Sequence, residues 1–313
     1  MNKNFLKESN FVSAVIYVAN TTLETEKFIK MVHKILNDNF QLYEIICVVD
    51  IESREKFELH RIADSVENIS IIYMGIKQGV ESAMKAGMNL AIGDYILEFD
   101  STYMDFEDSL IMEVYRKALE GYDVVGARVP RRYSSLESRM FYKVFNTFSR
   151  LGEEIGTERF RIISRRAVNK AESYSKTIPY RKVIYLACGL KVAGVEYTPI
   201  IVTGKGQEKD SFRKEIAIDT LLLFTDVAYR VAMTMSILMA AVMLFFLGYT
   251  CYIYFGSYTP VEGWSPIMGI LTVGFFGIFL LMTFLIKYLQ ILIKINFNNK
   301  EYLVESIEKN NGK

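Results

Sequence analysis

The chain has 313 residues, 51% of them hydrophobic, and a net charge of +1, so no basic field points to nucleic acid as a partner. Its three cysteines, Cys47, Cys188 and Cys251, are far apart, and its only histidines are His33 and His60. That inventory excludes a disulfide framework, a CxxC zinc site and a histidine-rich metal centre.

Lys3 and Lys7 precede an apolar run, Phe11–Ala19, that Ser13 interrupts and no small-residue cleavage site follows. It reads as a buried first strand, Val12–Val18, and not as a signal peptide. Glu24–Leu36 has helical spacing, with Phe28, Val32 and Ile35 on one face. A strand at Glu44–Val49 ends at Asp50, and Ser53–Asp64 reads as a helix. Then come a strand at Ile69–Tyr73, a helix at Gly79–Ala91, a strand at Tyr95–Phe99 ending at Asp100, a helix at Phe106–Glu120 and a strand at Asp123–Ala127. Strands separated by helices predict an α/β fold, Rossmann-like with a mostly parallel sheet and right-handed crossovers. After Ser134 the pattern is less regular. Leu136–Leu151 is amphipathic, Arg159–Ala167 is densely basic, and Ile178–Leu190 and Phe212–Tyr229 mix apolar and basic residues as helices on a bilayer surface do.

Two long stretches, Val231–Phe255 and Ser265–Ile286, carry no charge. Each is long enough to cross a hydrocarbon core of roughly 30 Å at about 1.5 Å per helical residue. The alternative is a pair of buried core helices. The loop between them, Gly256–Trp264, carries Glu262 and no Lys or Arg, whereas Arg213, Lys214, Arg230, Lys287, Lys294 and Lys300 lie on the outer flanks. The positive-inside rule then expects an integral membrane protein with two spans and both termini cytoplasmic. The expected organisation is a soluble domain over 1–210, a juxtamembrane amphipathic helix over 211–230, a transmembrane hairpin over 231–294 and a cytoplasmic tail over 295–313.

Ligands of parallel α/β sheets bind at the carboxyl ends of the strands. Those ends carry Asn20, Asp50, Lys77 and Asp100, which together predict a pocket for a polar ligand. Lys77 with Gln78 and Gly79 precedes a helix start, an arrangement that suits an anion. Asp100, in GDYILEFDST, is placed to hold a divalent cation on nucleotide phosphates, with Thr102 as a neutral second ligand and Asp105 nearby. The alternative for Asp100 is a cap on the next helix or turn. Arg128, Arg131 and Arg132 after one strand, with Arg159, Arg161, Arg165 and Arg166, form a group whose guanidinium forks fit phosphate oxygens or anionic headgroups.

These features together resemble family-2 inverting glycosyltransferases of the polyprenyl-phosphate branch, similar to dolichol-phosphate mannose synthases and undecaprenyl-phosphate glucosyltransferases. VIYVANTT keeps the family's Asn at Asn20, CVVDIES keeps Asp50 and Ser53, and KQGVESAMKAG stands at its Asn-x-Gly stretch with Lys77 in place of Asn. GYDVVGARVPRR matches its Gly-Tyr-Asp-Val-Val stretch, and Gly263-Trp264, Lys287-Tyr288 and Glu301–Val304 resemble its ending. Ile51, Thr102, Arg159 and Ser164 stand where the family has acidic residues. The resemblance implies a GT-A fold and sugar transfer from a UDP- or GDP-sugar to polyprenyl phosphate at the cytoplasmic face of a bacterial inner membrane. It implies nucleotide-sugar binding by Asn20, Asp50, Lys77, Asp100 and Thr102, and Mg²⁺ or Mn²⁺ on Asp100 and Thr102. It implies catalytic roles for Asp100, Arg128 and Arg131, and a lipid phosphate held by Arg128, Arg131, Arg132, Arg161 and Arg165. Relatives of this layout associate through their membrane helices, which makes a homo-oligomer an expectation. The departures leave two alternatives: an inactive relative acting as a membrane partner, and a lipid-binding surface module.

Overall fold

The computed structural model describes residues 7–20, 22–50, 66–134, 136–148, 155–174, 180–200, 264–297, 302 and 304–310, with scattered positions between 230 and 255. The expected helices at Ser53–Asp64 and Phe212–Tyr229, the loop 256–263 and about half of Val231–Phe255 lie outside the described residues.

The first strand, β1 (Val12–Val18), is buried at every position, as a central strand covered on both faces must be. α1 (Leu23–Asn39) begins at Thr22, whose hydroxyl accepts the Thr25 N–H at 3.3 Å, and it buries Phe28, Ile29, Val32 and Leu36. β2 (Tyr43–Val49), β3 (Ile69–Met74), α2 (Gly79–Leu90), β4 (Tyr95–Phe99) and α3 (Ser109–Leu119) follow within a few residues of their sequence bounds. β5 (Val124–Arg128) leads through a 3₁₀ turn at Arg131–Tyr133 to α4 (Leu136–Phe148).

From there the structure departs from the sequence reading. The basic run Arg159–Ala167 is a strand, β6 (Glu158–Ser164), running directly into α5 (Arg165–Tyr174). Ile178–Leu190 is not a bilayer-surface helix. Its helical part, α6 (Arg181–Ala187), buries Arg181, Lys182, Val183, Ile184 and Tyr185 inside the domain, because its cations meet buried carboxylates. β7 (Val192–Glu196) follows. Far along the chain, the segment expected to be a tail supplies β8 (Val304–Asn310), paired antiparallel with β3.

The eight strands lie in the order β7-β5-β6-β4-β1-β2-β3-β8. β1–β2, β1–β4, β2–β3 and β5–β7 are parallel, while β6 runs antiparallel to both β4 and β5. β1 has β2 on one side and β4 on the other, so the strand order reverses there, and the crevice of such a sheet opens at the carboxyl ends of β1 and β4.

One face of the sheet is apolar throughout. Ile16, Cys47, Phe99 and Ile162 pack there against Phe28 of α1 and Val114 of α3. The other face has two characters. Over β1 and β2, beside the Ser13–Glu44 hydrogen bond at 2.6 Å, it packs Val15 and Val48 against α2, which approaches so closely that a Cβ at Gly87 would stand 2.8 Å from Val48 Cγ2. Over β4, β6 and β5 it holds buried charge: Glu98 is 0% and Arg161 3% exposed.

The chain divides into two compact units, one of Met1–Thr147, Leu151–Ala217 and Lys300–Lys313, the other of Phe148–Arg150 and Ile218–Asn299. The second unit contains α7 (Trp264–Phe297), a continuous helix of 34 residues. Counting described residues alone, no helix is long and apolar enough to cross a membrane. Many α7 side chains fall outside that count; by sequence the helix includes the whole charge-free run Ser265–Ile286.

Candidate active site at the sheet switch point

Three of the expected strand-end residues meet around the crevice. Asn20 is exposed just beyond β1, and its carbonyl accepts the Thr25 hydroxyl at 3.1 Å. Thr25 Oγ1 lies 3.3 Å from Thr102 Oγ1, so α1 ties the turn after β1 to the turn after β4. Asp50, beyond β2, is only 1% exposed. Its carboxylate accepts the backbone N–H of Gln78 at 2.9 Å and of Gly79 at 2.8 Å, and the Tyr17 hydroxyl at 3.2 Å. The helix start that the sequence offered to a ligand anion therefore already holds the Asp50 carboxylate. Gly79 makes this geometry with φ of 80°, a conformation that strongly favours glycine. Lys77, beside it, is exposed.

Asp100, beyond β4, is gripped by two guanidinium groups. Arg181 Nη2 donates to Oδ1 at 2.6 Å, and Arg161 Nη2 donates to Oδ2 at 2.9 Å. Arg181 also donates from Nε to Glu81 at 3.0 Å, and Arg161 from Nη1 to Glu98 at 3.1 Å. The Tyr185 hydroxyl donates to the other Glu98 oxygen at 2.8 Å. Lys182 stands 3.2 Å from Glu158, which is also 3.3 Å from Arg161 Nε. Burial opposes the charge on Arg161, but Asp100, Glu98 and Glu158 outweigh it and hold the guanidinium well above its ordinary value. Burial likewise raises Glu81, with Arg181 pulling the other way. Arg181 was missed from sequence because its segment read as a surface helix. The signal lay across the sheet: Glu98, inside the apolar strand YILEF, required a buried counter-charge.

The arginines do not form one group. Arg159, where the resemblance places an acid, makes a two-pronged pair with Asp105, its Nε at 2.7 Å from Oδ1, and Tyr197 donates to the same carboxylate at 2.8 Å. Arg128 is half-buried and lies against Gly194, and its Nε makes no hydrogen bond. Arg132 is exposed, its guanidinium 4.7 Å from the Tyr133 ring centre. Arg131 lies in the 3₁₀ turn, and its side chain is outside the described residues. Arg165 stands apart. It donates to the carbonyls of Ala91 at 2.7 Å and Gly93 at 3.1 Å, at the amino end of β4. The reason is strand direction. β6 is antiparallel to β4, so at about 3.3 Å per residue its two ends reach opposite edges of the sheet. Ser164 and Arg166 share that far edge, both bound to Asp123.

Residues 13–181 match the sequence profile of glycosyl transferase family 2, more than half of the chain. The chain belongs to glycosyl transferase family 2. Among curated members it is 24% identical over 278 residues to the uncharacterized glycosyltransferase YkcC of Bacillus subtilis (strain 168), covering 86% of this chain and 85% of that one. It is 30% identical over 139 residues to an undecaprenyl-phosphate 4-deoxy-4-formamido-L-arabinose transferase of Proteus mirabilis (strain HI4320), covering 44% of this chain and 42% of that one. The fold is shared with the mannosyltransferase PcManGT from Pyrobaculum calidifontis, solved in complex with GDP-Man and Mn²⁺, at a TM-score of 0.51 and 8% identity, over 69% of this chain and 63% of that one.

The expected cation in this family-2 site finds few ligands. Mg²⁺ and Mn²⁺ prefer several hard oxygen donors. Both Asp100 oxygens are engaged by guanidinium groups, Thr102 is neutral, and Asp105 is held by Arg159 and Tyr197. Among the described residues no group of three His, Cys, Asp or Glu side chains is placed to hold a metal. The described residues do not fit a divalent cation at Asp100.

Proposed function

We propose that this chain is a membrane-anchored inverting glycosyltransferase that moves a sugar from a UDP- or GDP-sugar to polyprenyl phosphate at the cytoplasmic face of a bacterial inner membrane. One observation carries the reading. Asp100 sits at the switch point of a family-2 sheet, beside Thr102 and above two buried guanidinium groups, where a nucleotide diphosphate would lie. The undecaprenyl-phosphate transferase similarity supports the acceptor class.

Anchoring is supported by α7, whose charge-free run spans about 30 Å and whose described side chains include exposed Phe275, Phe276, Leu285 and Ile286.

In the reaction, an oxygen of the polyprenyl phosphate attacks the anomeric carbon from the face opposite the leaving group. The bond from that carbon to the diphosphate breaks, and the nucleoside diphosphate departs with the electron pair. The attacking phosphate is already anionic at neutral pH, so no general base is required. The chain contributes alignment of the two substrates and stabilisation of the leaving diphosphate. Arg128, Arg131 and Arg132, after β5, are assigned to the acceptor phosphate, and Asn20 and Lys77 to the donor. Purified protein in detergent should release nucleoside diphosphate from a UDP- or GDP-sugar only when polyprenyl phosphate is added.

The pairing of Asp100 and of Asp105 with arginines favours a second reading, a family member that binds nucleotide without turnover and serves as a membrane partner. Nucleotide binding with no release of diphosphate on adding polyprenyl phosphate would select it.

A further inference from the structure

The cluster beneath Asp100 holds more cationic hydrogen-bonding capacity than its carboxylates use. Arg181 Nη1 and Arg161 Nε are buried and make no hydrogen bond, and Arg128 Nε, outside the cluster against Gly194, makes none either. Arg181 Nη1 lies 3.9 Å from Glu98, and Arg161 Nε meets Glu158 as an ion pair only, at 3.3 Å. Buried N–H groups without acceptors point to an anion or water that completes them. Asp100, with its side chain 23% exposed, lies between two of these guanidinium groups and the crevice.

A divalent cation arriving at Asp100 would face both guanidinium groups across one carboxylate, with no second free carboxylate among the described residues to offset the repulsion. A nucleoside diphosphate faces the opposite balance. It carries more negative charge than Asp100 and several oxygens in the geometry that guanidinium forks accept.

We propose that the Arg161–Arg181 pair holds the donor diphosphate in place of a divalent cation, with Asp100 as the carboxylate that the diphosphate displaces. Asp100 is then a placeholder that keeps the two arginines oriented while the site is empty. This rests on the donor-binding reading above.

The test is calorimetric titration of the full-length protein in detergent with UDP and with GDP, each in EDTA and in Mn²⁺. The expected result is binding of one of them with a Kd that agrees within about twofold between the two conditions. Asp100→Asn should tighten that binding, since it weakens the competitor. Arg181→Lys should weaken it about tenfold, because an ammonium cannot replace a fork. Binding that requires Mn²⁺ and is lost in Asp100→Asn overturns the proposal and leaves donor binding standing. Binding without Mn²⁺ that Arg181→Lys leaves unchanged also overturns it. No binding of either nucleotide in either condition removes the donor reading and this proposal together. The wild-type comparison needs no variant, so a failure of Arg181→Lys to fold leaves the test intact.

Discussion

One face of the sheet carries two interiors side by side. Over β1 and β2, Val15 and Val48 pack against α2 with Gly87 pressed between them. Over β4, β6 and β5, the same depth of burial is filled by Glu98, Arg161, Glu158 and Arg181. The apolar part needs only volume and shape, and nearly any well-packed set of side chains would serve. The charged part needs every member, since removing one leaves another charge buried and alone. Buried ion pairs are weak contributors to net stability compared with apolar residues of similar volume. A network of this size therefore has its rationale in what it positions, and what it positions is Asp100 at the mouth of the crevice.

The largest predicted effect comes from the charged part. Glu98→Ala removes the acceptor of both Arg161 Nη1 and the Tyr185 hydroxyl. Loss of one partner of a buried pair costs about 3–5 kcal/mol. A urea titration of the purified protein should show it as a lower midpoint. A loss below about 1 kcal/mol would mean that water or rearrangement replaces Glu98, and the contrast between the two interiors would weaken.

The parallel half was legible because its strands are short, apolar and β-branched and its helices have a clear apolar stripe. Val12–Val18 and Tyr95–Phe99 have the same bounds in the sequence pattern and in the structure. The mixed half was not, since an antiparallel strand such as RFRIIS alternates arginine with apolar residues and resembles a basic surface segment. β8 was hidden for another reason. VESIEKN has only two apolar residues, Val304 and Ile307, three apart and so without the alternation of a strand, and it lies more than two hundred residues along the chain from its partner β3. At the site, Asn20, Asp50 and Asp100 are legible as strand-end residues, because the carboxyl edge of a parallel sheet is a topological property. Arg181 was not, because only the tertiary fold brings α6 under β4. Arg165, expected with the phosphate-binding arginines, lies at the amino end of β4, because spacing along a sequence does not reveal where a strand ends.

Two glycines sharpen the comparison. Gly87→Ala drives a methyl into Val15 and Val48, side chains that cannot leave. Overpacking of this kind costs about 1–3 kcal/mol, and nucleotide binding should be unaffected beyond the loss of folded protein. Gly194, paired in register with Gly126, leaves room for the Arg128 side chain to lie across β7. Gly194→Ala should cost less stability, because Arg128 is flexible, but should reduce transfer to polyprenyl phosphate by displacing that guanidinium. The measurement is a thermal melt beside a transfer assay for each variant. If both lose stability equally and neither loses transfer selectively, Arg128 has no acceptor role.

The smallest effect is predicted at the far edge, where Asp123 offers a second arginine-bound aspartate to set against Asp100. Burial pushes its carboxyl up, but the Lys191 N–H at 3.0 Å and the Arg166 guanidinium more than offset this, so its pKa lies below the ordinary aspartate value. A folded-state pKa below the unfolded one means that the unfolded chain binds the proton more readily. The stabilisation is present above the ordinary value, near pH 4, and is lost as pH falls through the depressed one. Arg166 is largely exposed, with its side chain 74% accessible, so its share is screened by solvent. Asp123→Asn should therefore lower Tm at neutral pH by about 2–4 °C, on the order of 1 kcal/mol, with the gap to wild type closing below about pH 4. UDP and GDP affinity should not change, because this aspartate ties the amino edge together and faces no crevice. If Asp123→Asn alters nucleotide affinity as much as Asp100→Asn does, the two edges are coupled and binding is not confined to the carboxyl end of the sheet.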